Sequence, residues 1–141
     1  VISMDIQIKR VYEPYSKDDG YRVLVDRLWP RGLTKERVHY DLWAKDLAPS
    51  TELRRAFGHK PENWDTFKQH YLAELDQNPA AWNFAHKIAG SEFASYPRIT
   101  LLYAARDPHL NHALILAQWL REHESSHPAS QNDQSKPNPP K

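Results

Sequence analysis

No cysteine occurs among the 141 residues. That excludes disulfides, zinc–thiolate sites and a catalytic thiol together, and it suits a reducing, cytoplasmic setting. Glycine is scarce, at four residues, and no GxGxxG, Walker-type or GxSxG pattern is present. A glycine loop cradling phosphate and a nucleophile elbow are therefore not available as routes to chemistry. No apolar run approaches the about 20 residues of a membrane span, and no secretory signal pattern opens the chain. A charge excess is missing too: 19 Lys and Arg stand against 18 Asp and Glu, a net charge of +1. Binding of any anion must then come from local clustering of charge, not from the whole chain. Methionine occurs once, as Met4. It marks either the natural start, with Val1–Ser3 as extra residues, or a position behind a non-standard start codon.

What is abundant is aromatic: five Trp, seven Tyr and four Phe. Large rings bury much area per residue, so a short chain fills its core with few of them. The length suits one domain with a real core. We expect a single α/β domain over residues 1–124, with a small, mostly parallel sheet flanked by helices. From Ser125 on, "SSHPASQNDQSKPNPPK" has no apolar periodicity, and a disordered tail over residues 125–141 is expected.

Along the chain, Ile6 and Ile8 alternate with Gln7 and Lys9, which predicts a first strand in "DIQIKRVYE". A loop with an Asp19-Gly20 turn signal leads to a second strand, Tyr21 to Trp29, whose apolar run through Val25 predicts cover on both faces. Pro30 and Gly32 stop it. "TKERVHYDLWAKDLAP" carries a weak helical pattern. "STELRRAFG" predicts a helix capped by Ser50, with Glu52 in its first turn and Gly58 at its end. "NWDTFKQHYLAELDQ" sets Trp64, Phe67, Tyr71 and Leu75 on one helical face, and the next segment does so with Trp82, Ala85 and Ala89 before Gly90. "RITLLYAARD" is a further buried strand, and "NHALILAQWLREHE" a helix with Ala113, Leu116, Ala117 and Leu120 in its stripe, widened by Ile115 and Trp119.

Chemistry is expected where the two buried strands end. One finishes Asp26-Arg27-Leu28-Trp29-Pro30-Arg31-Gly32, the other Arg106-Asp107 ahead of a helix starting near Asn111. In open α/β sheets ligands sit outside the carboxyl ends of the strands, and a helix N-terminus there favours an anion. If the strands are parallel neighbours, Arg27, Arg31 and Arg106 hold a phosphate or carboxylate. Asp26 or Asp107 then orients an arginine or acts as base, Trp29 offers a flat wall, and His112 moves a proton. Plainer roles stand beside these. Asp26 and Arg27 also suit a structural ion-pair network, Trp29 the core, Asn111 a helix cap, and Arg31-Gly32 a turn. The eight histidines form no HExxH, and His109 with His112 is a bare HxxH, so no metal and no cofactor are expected. Arg54-Arg55 beside Phe57 suits a nucleic-acid contact less well than a solvated helix face.

The run "IKRVYEPYSKDDGYRVLVDRLWPRGL", with "STELRRAFGH", "FKQHYLAEL" and "TLLYAARDPHLNHALILAQWL", resembles the YeaO-like family of small bacterial proteins, a domain of unknown function. The resemblance covers nearly all of the expected domain. It implies a compact α/β fold and a bacterial, cytoplasmic setting, with no particular activity. In longer, distant members of the wider group, a Cys-His-Arg triplet stands in the place of Asn111-His112-Ala113. The resemblance thus implies that His112 is shared, while the thiol and the guanidinium are not.

Two kinds of function fit these residues. One is an enzyme acting on a small phosphorylated or nucleotide-like substrate. The other is a non-catalytic binding or regulatory module for an anionic metabolite, a protein or a nucleic acid. No membrane partner is expected. A purely structural role for the strand-end charges is the third alternative.

Overall fold

The computed structural model describes residues 4–124. The expected tail and Val1–Ser3 lie outside them. Four parallel strands form one sheet in the order β1-β4-β2-β3: β1 Ile6–Arg10, β2 Tyr21–Leu24, β3 Leu42–Trp43 and β4 Ile99–Tyr103. Five helices accompany it: α1 Lys35–Val38, α2 Thr51–Phe57, α3 Trp64–Asp76, α4 Pro79–Ala89 and α5 His112–Glu124. The fold is α/β, as expected from the alternation of apolar strands and amphipathic helices.

Strand β4 enters last, between β1 and β2, in the register Ile6↔Ile99 and Tyr21↔Ile99. Its residues are buried throughout, because each parity meets its own core. Ile99, Leu101 and Tyr103 join Val23 and Val25 of the neighbouring chain segment beneath α2–α5. Leu102 and Leu24 face the other way, onto Val11 and Val38, with Trp29, Tyr40 and Trp43 packed around them. Helices cover the first face. The second is covered by the segment between β2 and β3, including the single turn of α1.

The second strand is shorter than its apolar run predicts, and the hydrogen bonds give the reason. The ladder to β4 continues one step, with the Val25 amide donating to the Leu102 carbonyl at 3.1 Å. The next donor on β4, the Ala104 amide, is taken at 2.9 Å by the Asp26 carboxylate in place of a strand carbonyl. The backbone is then free to leave the sheet before Pro30, which has no N–H to give.

The segment read as weakly helical differs more. Thr34 caps α1 by accepting from the Arg37 amide, but His39 turns left-handed (φ 52°) and ends it after four residues. The chain then adds β3 beside β2 and a 3₁₀ turn at Lys45–Leu47. Asp41 fixes that geometry by accepting from the Arg22 amide at 2.9 Å. The buried face of α4 is also rotated from the expected one: Ala81, Phe84, Ala85 and Ile88 are buried. Trp82 lies beside them, edge-on to Trp119 at 5.0 Å between ring centroids. Its Nε1 donates to the Asp76 carbonyl.

The expected helix α2 stands, with its Ser50 cap and Gly58 in the left-handed conformation (φ 56°). Ser50 is itself held by Glu74 of α3, its hydroxyl donating to one carboxylate oxygen at 2.6 Å and its amide to the other at 3.0 Å. That double bond between cap and carboxylate fixes α2 against α3 and so above the sheet's end. Gly20, in the turn before β2, is the position where a side chain is excluded. Its φ is +66°, and an added Cβ would lie 2.1 Å from the Arg98 carbonyl oxygen.

Candidate functional site

The connections leaving β4 and β2 diverge at the strands' carboxyl ends. After β4 the chain turns into α5, which packs back on β1 and β4. After β2 it runs the other way, toward β3. The gap between them is a crevice of the kind that holds ligands in open parallel sheets. Helix α2 and the turn after it close its third side.

The crevice has two adjoining lobes. The larger, of about 490 Å³, has Phe57, Phe67, Leu110 and Pro49 among its walls, with Arg54 and Arg55 of α2 beside them. The smaller, of about 330 Å³, is bounded by Asp26, Trp29, Pro30 and Arg31. Arg27, Leu28, Arg54, His59, Ala105 and His112 border both. The larger lobe lies within the range of about 300–1,000 Å³ typical of small-molecule sites.

At its floor sit Asp26 and His112. His112 is the first residue of α5, and its Nε2 lies 2.9 Å from the Val25 carbonyl and 3.4 Å from Asp26 Oδ1. A carbonyl only accepts, so Nε2 carries the hydrogen and donates it, which leaves Nδ1 as the acceptor nitrogen. The side chains are 14% and 16% exposed. Burial pushes the imidazole below its ordinary value, against the pull of Asp26 and the Val25 carbonyl. Burial likewise pushes the Asp26 carboxyl up, against the positive charge of His112, the Ala104 amide and Arg54. Both shifts favour the neutral forms, and the imidazole is uncharged at neutral pH.

Arg27 braces the opposite wall. Its Nε donates to the Pro49 carbonyl and its Nη2 to the Ala48 carbonyl, both at 3.3 Å. A guanidinium has five donors, so three remain for a ligand. Arg31, Arg54 and Arg55 are exposed, and none forms a salt bridge with a carboxylate among the described residues. His59 follows Gly58 and is itself left-handed (φ 57°), a conformation uncommon for a residue with a side chain. Its ring approaches that of Phe57, with centroids 5.7 Å apart.

The sheet therefore brings together Asp26, Arg27, Trp29, Arg31, Asn111 and His112 at one crevice. Trp29 borders the smaller lobe and also packs on the second core: Nε1 donates to the Leu33 carbonyl at 2.7 Å and the ring packs against Tyr40 and Trp43. Asn111, 2% exposed, caps α5, its Oδ1 accepting from the Leu114 amide and its Nδ2 donating to the Asp107 carbonyl. Arg106 and Asp107 are not brought in. Asp107 builds the loop instead, its Oδ1 accepting from the His109 and Leu110 amides. Arg106 is exposed and borders neither lobe. β4 ends at Tyr103; Ala104 and Ala105 still border the smaller lobe, and Arg106 lies in the bend beyond them.

Arg54, Arg55 and His59 enter the crevice because Glu74 and Ser50 set α2 over it; the sequence pattern points to a solvated face for the two arginines and assigns His59 no role. Thr51 and Leu28 border the larger lobe as well. The one sequence sign was the Gly58-His59 pair, a helix stop followed by a ring. Among the described residues no cluster of three or more His, Asp or Glu is spaced to hold a metal ion, and no helix is long and apolar enough to cross a membrane.

A family model described as "Inactive DUF488-N3 subclade" matches residues 5–140. The chain is 48% identical over 121 residues to the uncharacterized protein YeaO of Escherichia coli strain K12, covering 84% of this chain and 98% of that one. It is 41% identical over 115 residues to the uncharacterized protein Rv3073c of Mycobacterium tuberculosis strain H37Rv, covering 82% and 92%. The uncharacterized protein Mb3100c of Mycobacterium bovis is similar to the same extent. No solved structure matches.

Proposed function

The chain belongs to the inactive DUF488-N3 subclade, and from that premise we propose a binding module that holds a small phosphorylated anion in the two-lobed crevice without turning it over. The observation that carries the reading is the crevice's set of guanidinium groups, Arg27, Arg31, Arg54 and Arg55, of which the last three have no carboxylate partner among the described residues. Exposed arginines gathered at a concave site attract a phosphate and grip it in a fork. The N-terminus of α5 adds a favourable dipole.

The polar groups on the floor support binding over turnover, because they are already committed. Asn111 stands where the resemblance puts cysteine in longer relatives, and both ends of its amide are occupied by the α5 cap and loop. Asp26 replaces a strand carbonyl for Ala104, and His112 satisfies the carbonyl of Val25. The word "inactive" in the subclade's description agrees with a site that keeps its cavity without a nucleophile. A second reading, an enzyme in which Asp26 and His112 exchange a proton with substrate, draws on their 3.4 Å separation at the crevice floor.

Calorimetric titration of the full chain with inorganic phosphate and glycerol 3-phosphate, run beside a phosphate-release assay, tests the reading. Binding without release is expected, and Arg54→Ala weakens it about tenfold, the loss of one charge-assisted contact. Release that disappears in His112→Gln establishes the enzyme instead. No heat with either compound overturns both.

A further inference from the structure

The two lobes are not alike, and their difference specifies more than a charge. The groups shared by both lobes include Arg27, Arg54 and His59, all able to donate to an anion. The larger lobe alone adds Phe57, Phe67 and Leu110. Phe57 and Phe67 are stacked, with centroids 4.5 Å apart at 21°, and Tyr71 continues the series beneath them at 5.9 Å from Phe67. Tyr71 then meets the His112 ring edge-on at 6.1 Å. A ladder of rings therefore runs under the larger lobe and ends at the floor formed by His112 and Asp26.

Leu28 supplies the second observation. It borders both lobes and is 62% exposed, more than Tyr12, Tyr15, Leu42 or Tyr96, the other exposed large apolar residues. Leu28 belongs to neither apolar core and stands at the lip of the crevice, where an exposed apolar side chain suits contact with an apolar ligand body.

We infer that the ligand is a phosphate monoester carried on a flat aromatic ring, its phosphate at the shared cationic wall and its ring in the larger lobe between Leu28 and the Phe57–Phe67 face. This rests on the proposed anion-binding reading and sharpens it. Rings favour such a site because they pack offset or edge-on against phenylalanine and stack on guanidinium planes, Arg55 being at hand on α2. The phosphate provides the double charge that several unpaired guanidinium groups match.

Four probes decide it on the full-length chain by calorimetry: inorganic phosphate, glycerol 3-phosphate, phenyl phosphate and benzoate. Phenyl phosphate is expected to bind about tenfold tighter than glycerol 3-phosphate, equivalent to about 1.4 kcal/mol, and benzoate more weakly than phenyl phosphate. Leu28→Ser removes most of the preference for the ring while leaving inorganic phosphate binding unchanged. Arg54→Ala weakens every phosphorylated probe alike. Equal binding of phenyl and glycerol phosphates overturns the ring while leaving the anion site standing. Benzoate equal to phenyl phosphate overturns the phosphate. A preference for the ring that survives Leu28→Ser unaltered overturns the placement. Silence with all the phosphorylated compounds removes the anion site itself.

Discussion

Two arginines, Arg22 and Arg54, show how differently one side chain is used in this fold. Arg22, on β2, is fully buried. Its guanidinium donates to the His39 carbonyl at 2.9 Å, to the Val38 carbonyl at 2.8 Å and to the Asp19 carboxylate. Lys9 joins the same carboxylate at 2.9 Å, Gln7 bonds Thr100 at 2.8 Å, and the Tyr15 ring lies 5.2 Å from the Arg22 guanidinium carbon. Arg54, on α2, is exposed, borders the crevice, and has no carboxylate partner among the described residues. Buried charge is tolerable only when paired and fully hydrogen-bonded. The Arg22 cluster meets that demand and pins the β2–α1 segment onto the sheet. Arg31, Arg54 and Arg55 stay in water, open to the anion proposed for the crevice.

Breaking the paired region gives the largest effect. Arg22→Ala takes one of two cations from the Asp19 carboxylate, leaves the His39 and Val38 carbonyls without their donor and opens a cavity, with an expected loss of about 3–5 kcal/mol in denaturant unfolding. Arg22→Lys recovers little, since an ammonium cannot reach two carbonyls and a carboxylate in one plane. The same cluster sets an acid limit. Burial works against the Asp19 charge, but hydrogen bonds from Lys9 and Ser16 and the charges of Lys9 and Arg22 outweigh it and hold the carboxyl below its ordinary value. The folded state then binds fewer protons than the unfolded one. The stabilisation is present above the ordinary carboxylate range and is lost as pH falls through the lowered value, below about pH 4. Arg22→Ala should flatten that acid limb as well as lower it.

The next effect is smaller and blurs the boundary between the two regions. Arg27 belongs to the crevice but ties down residues 48 and 49, and Arg27→Ala removes both bonds, an expected cost of about 1–2 kcal/mol. Below it stands the floor pair. Asp26 has a raised carboxyl, so the folded state holds its proton more tightly, and stability falls as pH rises through that value. Asp26→Asn keeps an oxygen for the Ala104 amide and removes this cost, so neutral-pH stability is expected to hold or increase. The variant also exposes the opposite trend of His112. Its lowered imidazole makes stability complete above about pH 6.5 and drains it as pH falls toward the folded value. A melting curve for Asp26→Asn that does not decline between about pH 6.5 and 5 contradicts the neutral imidazole.

The contrast also explains what could be read from the sequence. β4, α5 and the caps of α2 were legible because their signals are local: apolar runs, helical spacing, Ser50 and Gly58. Asp26, Arg27, Arg31 and His112 were legible as strand-end and helix-start residues, since parallel strands with crossover helices leave few places for a ligand. The short strand β3 was not, because two residues carry no periodic signal and owe their register to non-local bonds, the Asp41 and Ala44 amides donating to the Arg22 and Leu24 carbonyls and the Asp41 carboxylate accepting from the Arg22 amide. Arg106 was misplaced because β4 ends earlier than its apolar run suggests, at Tyr103, and the chain has already bent by residue 106, leaving that side chain exposed outside both lobes. Arg54 and His59 were hidden because their place depends on α2 folding across the sheet's end, fixed by Glu74 from another helix. The Arg22 cluster was equally hidden, since a buried arginine in an apolar run gives no sign of its partners.

The smallest effect on stability sharpens the comparison furthest. Arg31→Ala removes an exposed guanidinium at the smaller lobe, and the Tyr12 hydroxyl still donates to the residue-31 carbonyl at 2.9 Å because that bond uses backbone. The melting temperature is expected to stay unchanged, as for surface substitutions away from caps, networks and core. Affinity for inorganic phosphate should fall by less than Arg54→Ala causes, because Arg31 borders one lobe and Arg54 both. Raising the salt concentration should shrink the effect of both substitutions together, since exposed charges are screened over about 10 Å at 0.1 M ionic strength. If Arg31→Ala lowers the melting temperature as Arg22→Ala does, the crevice arginines are structural after all, and the division between a paired and an open set of charges fails.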